Sequence, residues 1–221
     1  MDTFDLYKDI QCRTNGEIYL GVVGPVRSGK STFIKRFMDV LVLPKMTDEH
    51  AKERTVDELP QSASGKSIMT TEPKFVPKEA AEIQLAKDVS VLVRLIDCVG
   101  YMVEGAAGYM ENGAERLVKT PWNEKEIPFT KAAEIGTKKV IHDHSTIGIV
   151  VTTDGSIGEL PRNSYRAAEK KTIQELKSIG KPFVVLVNTR KPYSAEAKNV
   201  AEEIQKEYQV TALPVDRKSV V

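Results

Sequence analysis

Apolar and polar positions along the chain follow two alternating periods. Nearly continuous apolar runs at 17–23, 147–152 and 183–187 have the character of strands, the last of them covered on both faces. Between them lie segments whose apolar residues recur three and four apart. In 30–42 these are Phe33, Ile34, Phe37, Met38 and Leu41, closed by Pro44. In 164–179 they are Ile173, Leu176 and Ile179, all expected to point inward, with Gly180 just past the end. A last helix starts at a Ser194 cap and buries Val200, Ile204 and Tyr208 before a short strand at 211–215. Segment 47–59 is highly charged and reads as a short exposed helix, followed by Pro60 and the Ser62-Ala63-Ser64-Gly65 breaker, where mobility is expected. Segments 68–76 and 81–97 read as two neighbouring strands of a hairpin. Residues 101–145 form an irregular stretch rich in Gly, Pro and charge, with a helix at 128–141. Strands and helices in alternation predict an α/β domain with a mainly parallel sheet flanked by helices.

Composition narrows the classes. A chain of 221 residues, 41% hydrophobic and 29% charged, is long enough for one large domain with a proper core. The net charge of +1 provides no global field toward nucleic acid or an anionic membrane, and neither partner is expected. No apolar stretch approaches the roughly 18 residues of a membrane span, and the N-terminus lacks a basic head followed by an apolar segment. A cytoplasmic address is expected. Cys12 and Cys98 are too few and too isolated for a disulfide framework or a zinc site. The last strand lacks the covering helix usual in a doubly wound sheet, so the chain is expected to be cut short before further C-terminal domains.

The sharpest chemical signal is Gly24-Pro25-Val26-Arg27-Ser28-Gly29-Lys30-Ser31, followed by Thr32. It fits G-x-x-x-x-G-K-[ST], directly after an expected strand and opening an expected helix. Such a loop turns successive N–H groups toward a phosphate, the helix N-terminus adds its positive end, Lys30 bridges the outer phosphates, and Ser31 can ligate Mg²⁺. A second element, Asp97-Cys98-Val99-Gly100, ends a long apolar strand. Asp97 can hold Mg²⁺ through water, and Gly100 lets the backbone approach the γ-phosphate. Thr70 and Thr71 precede it, and a threonine hydroxyl there could close over Mg²⁺ and the γ-phosphate, while ordinary strand threonines explain the pair equally well. The strand at 183–187 ends in Asn188-Thr189-Arg190-Lys191, where guanine-reading enzymes keep N-K-x-D. Lysine offers donors only, so guanine would lose its acceptor there while adenine would not be penalised. Thr189 likewise replaces the lysine that stacks on the base. His142-Asp143-His144 reads as a polar surface turn and Trp122 as a packing anchor.

With these motifs together, the chain resembles the N-terminal ATPase domain of the stage IV sporulation protein A family, morphogenetic ATPases of the bacterial spore coat. The resemblance spans essentially all of the chain. It implies a P-loop fold of the translation-factor GTPase type, with 1–15 as an N-terminal arm and 44–66 and 101–145 as insertions or switch regions. It also implies ATP and Mg²⁺ as ligands, with hydrolysis driving irreversible assembly into the basement layer of the coat. Lys30 would then serve nucleotide binding, and Thr70, Thr71 and Asp97 hydrolysis, with Ser31, Thr71 and Asp97 around the metal. The implied partners are further copies of itself, a short amphipathic forespore-membrane peptide and other coat proteins, through regions beyond Val221; the implied place is the mother-cell cytoplasm at the forespore surface. The strand order expected is 2-3-1-4-5-6. Turnover is expected to be slow, because Tyr101 stands where switch GTPases carry a water-orienting glutamine. The rival readings are a GTP-driven switch and a nucleotide-binding scaffold without turnover. A small-molecule kinase is least favoured, since no lid with paired arginines is apparent.

Overall fold

The computed structural model describes residues 16–46, 48–60, 71–86, 89–111 and 113–216. In chain order the elements begin with strand β1 (Glu17–Val23) and helix α1 (Lys30–Phe37), which continues as a wider π turn at Met38–Val42. Helix α2 (Glu49–Glu58) follows, capped by Asp48, whose carboxylate accepts from the N–H groups of His50 and Ala51. Strands β2 (Lys74–Ala86) and β3 (Val89–Asp97) come next. Two small antiparallel pairs then occupy the irregular region: β4 (Met110–Glu111) with β5 (Ala114–Glu115), and β6 (Leu117–Thr120) with β7 (Asn123–Pro128). Helix α3 (Phe129–Lys139), strand β8 (Ile147–Thr153), helix α4 (Arg162–Ser178), strand β9 (Phe183–Thr189), helix α5 (Ala195–Tyr208) and strand β10 (Ala212–Asp216) complete the order.

Six strands form one sheet in the order β2-β3-β1-β8-β9-β10, parallel throughout except that β2 runs antiparallel to β3. Counted within the sheet, this is 2-3-1-4-5-6, as expected. Period-two alternation sorts the side chains: Val22 packs with Ile34, Met38, Leu95 and Val151 beneath α1, whereas Val23 packs with Ile96, Val150, Tyr165, Leu176 and Ile204 beneath α3, α4 and α5. Both faces are therefore covered, which is why these strands read as continuous apolar runs. From β1 the chain crosses to the β3 side, then returns past β1 to β8. Neighbouring connections thus diverge at the carboxyl end of β1, the crevice where open α/β sheets take ligands.

Two expectations need correction. The hairpin between 68–76 and 81–97 turns elsewhere, because β2 runs through Pro77 as far as Ala86. An edge strand tolerates this, since Pro77 falls within the register shift between Val76 and Ala81, where no ladder pair requires its N–H. Residues 68–70 and Cys12 lie outside the described residues. Ile179 is 38% exposed rather than inward, because α4 ends one residue before it.

A buried polar network ties β8 to α4. Arg162 donates two hydrogen bonds to Glu169, at 2.6 and 2.8 Å, and Thr152 Oγ1 donates to the same carboxylate at 2.6 Å. The Glu169 side chain is 2% exposed. Removing one partner of such a pair strands a buried charge. Glu169→Ala is expected to destabilise the fold by about 3–5 kcal/mol, measured as a lower urea midpoint.

Candidate functional site

The loop between β1 and α1 wraps tightly, with left-handed backbone at Arg27 (φ 61°) and Gly29 (φ 93°). Gly29 is also the residue before the first turn of α1, which carries no acidic side chain. Its unpaired N–H groups therefore meet no competing carboxylate from the helix itself. Asn188, at the end of β9, lies across the loop and donates from Nδ2 to the Ser28 carbonyl at 3.1 Å. A Cβ on Gly29 would sit 2.3 Å from that nitrogen.

A second backbone closes over the first. After β3, Tyr101 N–H donates to the Gly24 carbonyl (3.2 Å) and Val26 N–H donates to the Tyr101 carbonyl (2.9 Å). Gly100 has φ 93°, and a Cβ there would stand 2.1 Å from Gly24 O and 2.6 Å from Lys30 Nζ. Only glycine fits this crossing.

Beneath the crossing, Lys30 is 5% exposed and its ammonium donates to the Pro25 carbonyl at 2.7 Å. Burial lowers its pKa, opposed by the charges of Cys98 and Asp97. Ser31, on the first turn of α1, donates from Oγ to Asp97 Oδ2 at 2.7 Å, while Asp97 Oδ1 is buried without a hydrogen-bond partner. Burial raises the Asp97 pKa, opposed by the Ser31 bond and by Lys30. The Cys98 thiol is pushed up to about 11, again by burial. Two oxygen ligands, one of them orphaned, make a donor set suited to a hard divalent cation completed by phosphate and water.

The other expected residues fall in several places. Gly24, Pro25, Val26, Ser28 and Thr32 lie with Lys30 on the loop and the first turn of α1. Thr70 lies outside the described residues. Thr71 is buried with its carbonyl against Gly136 of α3, and no hydrogen bond joins it to Ser31 or Asp97. Thr189 donates from its hydroxyl to Asp154 Oδ2, and Lys191 is exposed. Asp154 was missed by the motif reading; only the turn-forming Asp154-Gly155 pair after β8 marks it in sequence. Its other oxygen, Oδ1, accepts from Ser156 N–H (2.9 Å) and Ser156 Oγ (2.6 Å).

Tyr101 is turned away from the loop. Its ring is 3% exposed between α3 and α4, under the Lys171 ammonium at 4.7 Å, and Lys171 pairs with Glu134 at 2.9 Å. His142 pairs with Glu175 (2.7 Å) while His144 packs edge-on to Phe75, so the two histidines diverge. Among the described residues no three His, Cys, Asp or Glu side chains converge, and no helix is long and apolar enough to cross a membrane.

The whole stretch, residues 1–221, matches the family described as stage IV sporulation protein A, ATPase domain. The chain is similar to stage IV sporulation protein A of Clostridioides difficile (strain 630), 56% identical over 96% of this chain and 43% of that protein. It is 51% identical to stage IV sporulation protein A of Bacillus anthracis, over 99% of this chain and 44% of that one. The chain thus spans less than half the length of these curated relatives. A solved structure titled as a complex of SsGBP with GDP is similar over 98% of this chain and 50% of that chain, at 12% identity and a TM-score of 0.49.

The raised pKa of Asp97 has a consequence for stability. An acid whose pKa rises on folding loses protons less readily in the folded chain, so folding is penalised once pH climbs above the ordinary aspartate value of 3.8. Asp97→Asn keeps the Ser31 contact and removes that penalty. In the absence of nucleotide and divalent cation the variant is expected to melt higher than the parent at pH 7, with the gap closing in acid. Thermal melts at several pH values test this.

Proposed function

The chain belongs to the stage IV sporulation protein A family through its ATPase domain, and from that premise we propose that it binds and hydrolyses ATP with Mg²⁺. In this reading hydrolysis drives self-assembly into the basement layer of the bacterial spore coat, in the mother-cell cytoplasm at the forespore surface. The partners proposed are further copies of itself, a short amphipathic forespore-membrane peptide and other coat proteins.

The observation that carries the reading is the meeting of Lys30, Ser31 and Asp97 at the crossing of two loops, with Ser31 Oγ 2.7 Å from Asp97 Oδ2. Lys30 would leave the Pro25 carbonyl for the β- and γ-phosphates, whose charge replaces a neutral acceptor. Ser31 and Asp97 would hold Mg²⁺, which supplies charge neutralisation on the phosphates. Thr70 or Thr71 would sense the γ-phosphate. Turnover is proposed to be slow, since the Tyr101 ring lies between α3 and α4 and cannot orient water.

Adenine is favoured at the end of β9 because Lys191 offers no acceptor to the guanine N–H groups. One observation favours the GTP-switch alternative: Asp154 brings a carboxylate beside Thr189. Both its oxygens, however, already accept from Thr189 and Ser156.

Lys30→Ala is expected to abolish detectable ATP binding by calorimetry; wild-type affinity would falsify the phosphate-loop assignment. In competition against a labelled nucleotide, ATP should displace at least about tenfold better than GTP, from roughly 1–3 kcal/mol per unmatched donor. Lys191→Asp with Thr189→Lys should narrow that gap. Equal displacement in the parent would remove the ground for choosing ATP.

A further inference from the structure

We propose that Arg27 is a further catalytic residue, an arginine built into the phosphate loop that supplies positive charge to the triphosphate as the γ-phosphoryl group departs. The inference rests on the proposed ATP hydrolysis and adds a second cationic side chain to Lys30 in that mechanism.

Three observations support it. The first is backbone conformation. Arg27 has φ 61°, left-handed space that a residue with a Cβ occupies at a cost of about 1 kcal/mol or more, and Gly29, two residues on, meets the same requirement without that strain. A strained non-glycine residue within a ligand loop points to work done by its side chain.

The second is placement. Arg27 is the fourth residue of the loop, between Val26, whose N–H holds the Tyr101 carbonyl, and Ser28, whose carbonyl holds Asn188. Its side chain is exposed and Nη2 donates to the Ala107 carbonyl at 3.2 Å. That acceptor is uncharged, and a polyanion binding on the same loop competes for this nitrogen with charge-assisted, bidentate bonds.

The third is the inventory of the site. Lys30 is buried on the Pro25 carbonyl, Asp97 is bound to Ser31, and Tyr101 faces the α3–α4 seam. Arg27 is the other cation of the eight-residue motif.

In the step proposed, a water oxygen forms the new bond to Pγ. The bond from Pγ to the β–γ bridging oxygen breaks, its electron pair stays on the β-phosphate of ADP, and the water proton passes to the released phosphate. Nothing is oxidised or reduced. The guanidinium moves from Ala107 to the bridging and γ-oxygens as negative charge builds there, and so acts on the transition state more than on bound ATP. Ala107, six residues beyond Tyr101, is released by the same movement.

The test uses the whole protein and the variants Arg27→Gly, Arg27→Ala and Arg27→Lys. The glycine variant is decisive, because it adopts φ 61° without strain and removes only the side chain. For it, kcat is expected to fall on the order of 10³-fold, with ATP affinity changed no more than about threefold. Binding of ADP with aluminium fluoride, which mimics the γ-phosphoryl group in flight, should be lost in the same variant. Arg27→Lys should recover part of the rate and Arg27→Ala none. The inference is overturned if Arg27→Gly turns over within about threefold of the parent. It is equally overturned if ATP affinity falls as much as kcat, since Arg27 would then grip the ground state. A parent without ATP turnover would instead remove the proposed function on which the inference rests.

Discussion

The site depends on two backbones crossing at a distance that no side chain permits. The segment after β3 passes so close to the carbonyl of Gly24 that a single Cβ on Gly100 would overlap it, and reciprocal hydrogen bonds between Tyr101 and the loop hold the crossing. Lys30 is buried because that segment covers it. Asp97 reaches Ser31 because β3 lies beside β1 in register, with Val22 opposite Asp97. Tyr101 is driven to the opposite side, where its ring packs against helices that have no part in phosphate contact.

The crossing also sets the electrostatics. Lys30, Asp97 and Cys98 share a space from which water is largely excluded, and burial is the leading influence on each. It lowers the lysine and raises the two acids, so each group is pushed toward its neutral form. A polyphosphate beside Lys30 and a cation beside Asp97 would reverse that pressure. An apo arrangement that is uncomfortable in this way favours ligands of opposite charge placed together, as in a metal–nucleotide complex.

On the far side, the same segment is continuous with the seam of α3 and α4. Lys171 spans that seam, resting on the Tyr101 ring and pairing with Glu134, and His142 pairs with Glu175. The residue that follows Gly100 is therefore a side chain wedged between two helices.

Strand and helix identities were legible in the chain because apolar periodicity is a local property, and 17–23, 147–152 and 183–187 carry it strongly. The phosphate-loop pattern was legible for the same reason, since its residues are consecutive. The hairpin turn was not, because Pro77 reads as a breaker until the strand is known to lie at an edge. Nor was the inward face of Tyr101, the acceptor Asp154, or the reach of Arg27 to Ala107, eighty residues away. These join segments distant in sequence, and no local pattern encodes which backbones will meet. Periodicity and consecutive motifs determined the elements and the loop; the parallel order of the sheet alone decided what stands opposite them, because it brings the carboxyl ends of β1, β3, β8 and β9 to one edge.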